Sequence, residues 1–130
     1  MGLFNKSPKK KLNDDSSKFG VNLVAELYPT SSVSEQFRTV MTNISFANIN
    51  GDLKSIMVTS SDPSEGKSTF SANLAVTYAK QGRNVVLVDA DMRRPTVHKS
   101  FTSAIKRGYQ PSYLVTQQLK TLSNTLQSIT

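Results

Sequence analysis

The spacing of apolar residues changes along the chain, and each change marks an element. Val33, Phe37, Val40 or Met41, Ile44 and Ala47 recur at steps of three and four, the spacing of one helix face. Ser32 and Glu35 have capping-box spacing, so this helix is predicted to open at Ser32 and to end in the turn Asn50-Gly51-Asp52. Lys54 to Ser60 is a predicted strand, with Ile56 and Val58 on one side and Met57 on the other. Lys67 to Gln81 returns to helical spacing through Phe70, Ala72, Leu74, Ala75 and Tyr78, with Gly82 as the stop. Asn84 to Asp89 is continuously apolar up to its last residue, as in a strand buried on both faces of a parallel sheet. Strand, helix and strand at these lengths predict a right-handed crossover unit, hence an α/β fold. Upstream, Leu23 to Leu27 is expected to be a short extended segment, ended by Pro29 and the cluster Thr30-Ser31-Ser32.

The two ends differ from this middle. Residues 1–20 form a polar leader carrying Lys6, Lys9, Lys10, Lys11 and Lys18, broken by Gly20, and are expected to be disordered. All nine acidic residues lie at or before Asp91, whereas residues 102–130 hold none. That tail is rich in Ser, Thr and Gln and carries Lys106, Arg107 and Lys120. Downstream of Pro111, the spacing of Val115, Leu119, Leu122, Leu126 and Ile129 fits a short amphipathic helix. The expected organisation is a basic leader over 1–20, an α/β part over 21–101 and a divergent tail over 102–130.

Composition narrows the function classes. At 130 residues and 37% apolar content, the chain holds one domain with a modest core. It has no apolar stretch long enough to cross a bilayer, and its first residues have no apolar core of a secretory signal. With no cysteine, disulfides, thiolate zinc sites and cysteine nucleophiles are excluded, and the cytoplasm is the expected compartment. The net charge of +7 sits partly in the leader, without interleaved aromatics, so nucleic acid is not the expected partner. A lysine-rich leader is either a solvated tail or a tether to the anionic inner face of a membrane, worth roughly 1 kcal/mol per lysine near the headgroups. Gly2 follows Met1, but Lys6 occupies the place where a myristoylation signal has Ser or Thr.

The chemistry concentrates in Ser60-Ser61-Asp62-Pro63-Ser64-Glu65-Gly66-Lys67-Ser68-Thr69, between a predicted strand and a predicted helix. Such a loop turns backbone N–H groups toward a phosphate, and the helix adds its positive N-terminal end. Gly66 permits close approach, Lys67 reaches the β- and γ-phosphates, Ser68 offers a hydroxyl to Mg2+, and Thr69 adds a further contact. Ser61 stands where the usual pattern opens with glycine. One strand later, Asp89 and Asp91 fall at the carboxyl end of a strand, where open α/β sheets bind ligands. A carboxylate there can hold magnesium through water and take a proton from an attacking hydroxyl. The plainer alternative is an acidic turn neutralised by Arg93 and Arg94. His98, the single histidine, is expected to pack or cap.

Three blocks together resemble the cytoplasmic tyrosine kinases of bacterial capsule and exopolysaccharide synthesis. Ser60 to Thr69 is similar to their Walker A loop, with Ser64 in place of a usual glycine. Val85 to Pro95, with Asp89, Asp91 and Arg93, is similar to their second aspartate motif. Glu35, Arg38 and Asn43 fit the spacing Glu-x-x-Arg-x-x-x-x-Asn, which in the family lies between ring subunits. The resemblance covers about Val24 to Phe101 and implies a P-loop NTPase-type parallel sheet with flanking helices. It implies ATP and Mg2+ as cofactors, with Ser64, Glu65, Gly66, Lys67, Ser68 and Thr69 on the nucleotide and Ser68 and Asp89 on the metal. Lys67, Asp89 and Asp91 would be catalytic, and Asp89 would activate a tyrosine hydroxyl presented by a neighbouring subunit.

The implied function is an autophosphorylating, ATP-dependent protein-tyrosine kinase, stimulated by a membrane-bound polysaccharide co-polymerase. The sequence contains neither a Walker B strand nor a tyrosine cluster; Tyr109 and Tyr113 do not form one. With the change of composition after Phe101, this predicts a truncated or frame-altered product and an incomplete sheet. The alternative reading is therefore a non-catalytic nucleotide-binding or oligomer-interaction remnant. A partitioning or septum-site ATPase is a third reading, and Asp62, where that class has its signature lysine, argues against it.

Overall fold

A computed structural model of the 130-residue chain describes residues 18–48, 51, 53–91, 94–106 and 114–118. The order along the chain is α1 (Val24–Leu27), α2 (Ser32–Ala47), α3 (Lys67–Lys80), β1 (Val85–Asp89), α4 (Val97–Lys106) and β2 (Leu114–Gln118). β1 and β2 form a two-stranded parallel ladder, running from Val85 opposite Leu114 to Asp89 opposite Gln118. The helical crossover and parallel pairing make this an α/β arrangement.

α3 is the central element and packs against α1, α2 and β1. Residues Ala72 to Thr77 are all buried, because small side chains let neighbours approach this helix from several sides. The core joins Ala72, Ala75 and Val76 of α3 to Val21, Leu23 and Ala25 upstream and to Val97 and Phe101 of α4. Val85 and Leu87 of β1 close it. α3 ends in a Schellman motif, with Gly82 at φ 78° donating to Ala79 O and Arg83 N–H donating to Tyr78 O.

Leu23 to Leu27 departs from the extended segment expected of it. Burial alternates through Val21, Leu23 and Ala25, as it would in a strand, but the chain turns helical at Val24. Leu23 at the N-cap offers no side-chain acceptor. Asn73 of α3 supplies one instead, its Oδ1 accepting the Ala25 N–H at 2.9 Å. Lys80 Nζ donates to Ala25 O at 3.0 Å from the other end of α3. A single helical turn is marginal alone, so this external capping is what makes it stable.

The N-cap of α2 lies one residue before the Ser32 that its capping-box spacing predicts. Ser31 is the N-cap, and its Oγ accepts the Ser34 N–H at 3.2 Å. Ser34 decides the choice: it is the buried residue of α2, and its hydroxyl donates to Tyr28 O at 2.7 Å. Glu35 is thereby left to pair with Arg38. Phe37, Val40, Met41 and Ile44 are half-buried as expected, while Val33 and Ala47 remain exposed. Phe37 meets Phe70 of α3 with ring centroids 5.6 Å apart.

Two strand expectations need correction. Lys54–Ser60 belongs to no ladder among the described residues; Met57 is 87% exposed and Ile56 also faces solvent. A strand needs a partner for its backbone groups, and β1 pairs with β2 instead. β1 is covered on one face only: Val85 and Leu87 point to the core, while Val86 and Val88 are exposed. The core helices all lie on the Val85–Leu87 side. In the tail, Val115 was expected on a helix and lies in β2; Leu119, Leu122, Leu126 and Ile129 fall outside the described residues. So do the leader over 1–17 and Arg93. Among the described residues, no helix is long and apolar enough to cross a membrane.

Candidate nucleotide site

The loop from Ser60 to Gly66 leads into α3 with a geometry set by two residues at positive φ. Gly66 is the N-cap at φ 85°, a left-handed conformation that glycine adopts without steric cost. Ser64 holds φ 65° without that freedom. A left-handed conformation costs an L-residue roughly 1–2 kcal/mol, so this serine stands where the backbone asks for the glycine of related loops.

Lys67, Ser68 and Thr69 form the first turn of α3 and are half-buried, whereas Ser61 to Gly66 are exposed. The Phe70 N–H donates to Gly66 O at 2.8 Å and closes that turn. The Lys67 ammonium folds back into the loop, donating to Ser60 Oγ and to Asp62 O, the latter at 3.1 Å. Ser60 Oγ donates to Asp62 O at 2.9 Å, and Glu65 Oε2 accepts the Asp62 N–H at 3.4 Å. The lysine therefore stands over the loop, held by neutral oxygens that a phosphate could replace. An ammonium and two hydroxyls at the N-terminus of a 14-residue helix are a donor set that fits a polyphosphate.

Asp89 is at the carboxyl end of β1 and only 7% exposed. Its Oδ2 accepts the N–H groups of Thr96 and Val97, each at 3.1 Å, and its Oδ1 accepts the Asp91 N–H at 3.1 Å. The carboxylate thus caps α4 from the end of β1, a structural task that sequence reasoning did not foresee. Asp91 is exposed, and its Oδ1 accepts the Arg94 N–H at 2.9 Å in a local turn. Arg94 thus meets Asp91 through its backbone N–H; the acidic turn neutralised by arginine side chains also involves Arg93, which lies outside the described residues. His98 is half-buried in α4, where its carbonyl accepts from Thr102 Oγ1.

Lys67 and Asp89 spend their contacts on separate partners, and no ion pair joins them. Among the described residues there is no cluster of three or more His, Cys, Asp or Glu that could hold a metal ion. Of the residues expected at magnesium, Ser68 lies in the first turn of α3 and Asp89 at the end of β1, and a metal held there would take its remaining ligands from phosphate oxygens and water. Glu35 and Arg38 lie on the outer surface of α2, bonded to each other at 2.9 Å, and Arg38 also donates to Pro29 O. Asn43 is exposed on the same helix.

A family model described as the CobQ/CobB/MinD/ParA nucleotide binding domain matches residues 56–129, from the loop's approach through both strands. The chain belongs to this family. Its loop, first helical turn and parallel strands are thus parts of a P-loop nucleotide-binding domain. The chain is 55% identical over 80 residues to the tyrosine-protein kinase YwqD of Bacillus subtilis (strain 168), covering 62% of this chain and 34% of that relative. It is 47% identical over 73 residues to the putative tyrosine-protein kinase CapB of Staphylococcus aureus, covering 56% of this chain and 32% of that relative. It is 32% identical over 80 residues to the tyrosine-protein kinase etk of Escherichia coli (strain K12), covering 62% of this chain and 11% of that relative. No solved structure gives a significant match. The expected resemblance to these tyrosine kinases is therefore met, over about a third of the length of the first two relatives.

Proposed function

We propose that the chain carries the ATP-binding part of an autophosphorylating protein-tyrosine kinase that regulates capsular or exopolysaccharide biosynthesis. The observation that carries this reading is the Lys67 ammonium, poised over the loop at the N-terminus of α3. Gly66, Lys67, Ser68 and Thr69 would hold the triphosphate, with Ser64 and Glu65 shaping the loop. Lys67 would exchange Ser60 and Asp62 for the β- and γ-phosphates. Magnesium, when bound through Ser68 and Asp89, supplies charge neutralisation on the phosphates. A carboxylate has about four acceptor positions, and Asp89 uses three on backbone amides, which leaves one, for the magnesium side or for a substrate hydroxyl but not for both at once. Asp91, exposed beside it, would assist.

The tyrosine hydroxyl would come from a second copy of the chain, with Glu35, Arg38 and Asn43 on the contact surface. A membrane-bound polysaccharide co-polymerase is the proposed activator, and nucleic acid is not a proposed partner. The proposed location is the cytoplasm, with the lysines of the leader against the anionic inner face of the membrane. The septum-site and partitioning members of the family are disfavoured because Asp62 stands at their signature lysine position.

Two observations support a second reading, a nucleotide-binding or interaction module without turnover. The Asp89 carboxylate is already engaged in capping α4, and Lys54–Ser60 adds no strand to the sheet. Thermal stability with and without MgADP tests the shared part of both readings: an upward shift is expected for the unmutated chain and none for Lys67→Met. Phosphotyrosine made with MgATP separates them. Incorporation that disappears in Lys67→Met and falls sharply in Asp89→Asn supports the kinase. A chain folded by circular dichroism that binds MgADP but incorporates nothing leaves the second reading.

A further inference from the structure

Asn73 lies in the middle of α3 with no exposed surface, where an apolar residue would pack without any need for partners. Its amide instead makes three hydrogen bonds that run in two directions. Nδ2 donates to Thr69 O at 2.8 Å, within the first turn of α3 and beside the proposed phosphate-binding residues. The same group donates to Asn22 O at 2.8 Å, and Oδ1 accepts the Ala25 N–H at 2.9 Å, both in the strap that precedes α2. The strap is also a core element, since Val21, Leu23 and Ala25 are buried against α3 and α4.

We propose that Asn73 is a positioning residue for the phosphate loop, holding the first turn of α3 against the Val21–Ala25 strap. The strap's docking thereby sets how tightly the loop grips a nucleotide's phosphates. This rests on the nucleotide-binding reading of the loop. The physical basis is the rigidity of a fully satisfied buried amide, whose bonds to the two segments are made or lost together. The Thr69 carbonyl already accepts within the helix, so the side-chain bond adds a second restraint in the turn that carries Lys67. With Thr69 fixed, the Gly66–Phe70 bond that closes the turn is fixed as well.

The test uses the full chain and two substitutions. Asn73→Asp keeps the size and the acceptor for Ala25 but removes both donors. Phe101→Leu, a truncation in the same core on α4, is the control for general destabilisation. MgADP affinity is measured by titration calorimetry at a temperature where each variant is folded, together with hydrogen exchange at the Phe70 amide. Asn73→Asp is expected to weaken MgADP on the order of tenfold and to speed Phe70 exchange beyond the effect of Phe101→Leu. Equal affinities and equal Phe70 protection in the two variants would overturn the proposal. If the unmutated chain takes up no MgADP, the nucleotide reading fails separately, and the exchange comparison alone decides the positioning role. Where Asn73→Asp does not fold, Asn73→Ser is used, keeping the bond to Thr69 and losing the strap. Unchanged affinity and Phe70 exchange there would again overturn it.

Discussion

The carboxylate of Asp89 accepts the Val97 N–H at 3.1 Å, so the last residue of β1 caps the first residue of α4. The bond crosses seven intervening residues and fixes where the crossover helix leaves the sheet. It also means that Asp89 has a structural duty whether or not a metal is present. Asp89→Ala is therefore expected to lower stability by about 1–2 kcal/mol through loss of the cap, in buffer free of magnesium and nucleotide. Asp89→Asn should lose less, because its carbonyl oxygen still accepts. Urea midpoints compare the three chains, and an alanine midpoint equal to the unmutated one would refute the capping role.

Ser64 stores backbone strain at φ 65°. Replacing it by glycine removes the left-handed penalty but adds freedom to the unfolded chain, for a net gain of about 0.5 kcal/mol. Ser64→Val, β-branched at the same positive φ, should lose about 1 kcal/mol or more. Opposite movements of the melting temperature are the expected result. A valine variant as stable as the glycine variant would contradict the strained conformation.

Gly20 lies so close to α4 that an added Cβ would sit 2.3 Å from the Ser100 backbone nitrogen, at φ +80°. Backbone cannot yield as a flexible side chain does, so Gly20→Ala should cost about 2 kcal/mol or more. Ser100 is the partner that makes the approach useful: its Oγ accepts the Val21 N–H at 2.7 Å in a buried position. Ser100→Ala should cost about 1–3 kcal/mol by leaving that N–H unsatisfied. Denaturant titration of the two variants checks both values. A tolerated alanine at position 20 would mean that the strap does not dock on α4.

Lys80 reaches back across the core to Ala25 O and to Glu26 Oε2, each at 3.0 Å. The Glu26 side chain is 17% exposed and that of Lys80 is 37% exposed, so solvent screens part of the pair. Lys80→Met keeps most of the stem and should cost about 1 kcal/mol, chiefly through the freed Ala25 carbonyl of α1. Raising the salt concentration should recover little of the difference, because the neutral acceptor does not depend on ionic strength. A loss abolished by salt would show instead that the ion pair carries the effect.

Local patterns determined the parts of this protein that depend on neighbours in sequence. The three-and-four spacing from Val33 to Ile44, the stop at Gly82 and the apolar run Val85 to Val88 each specify an element through short-range sterics and backbone bonding. The loop-to-helix junction was legible for the same reason: Gly66, Lys67 and Ser68 stand where a loop meets a helix start, and both signals lie within ten residues. Tertiary structure decided everything that depended on distant partners. Leu23 to Leu27 reads as a short extended segment, yet Asn73 and Lys80 of α3 cap it as a helix. Lys54 to Ser60 has the composition of a strand, yet a strand exists only where another backbone lies beside it. Asp89 reads in the sequence as a carboxylate at a strand end, and only the fold brings the start of α4, eight residues onward, to its Oδ2. Periodicity encodes which face a side chain takes; it holds no information about which distant backbone group will arrive there to be satisfied.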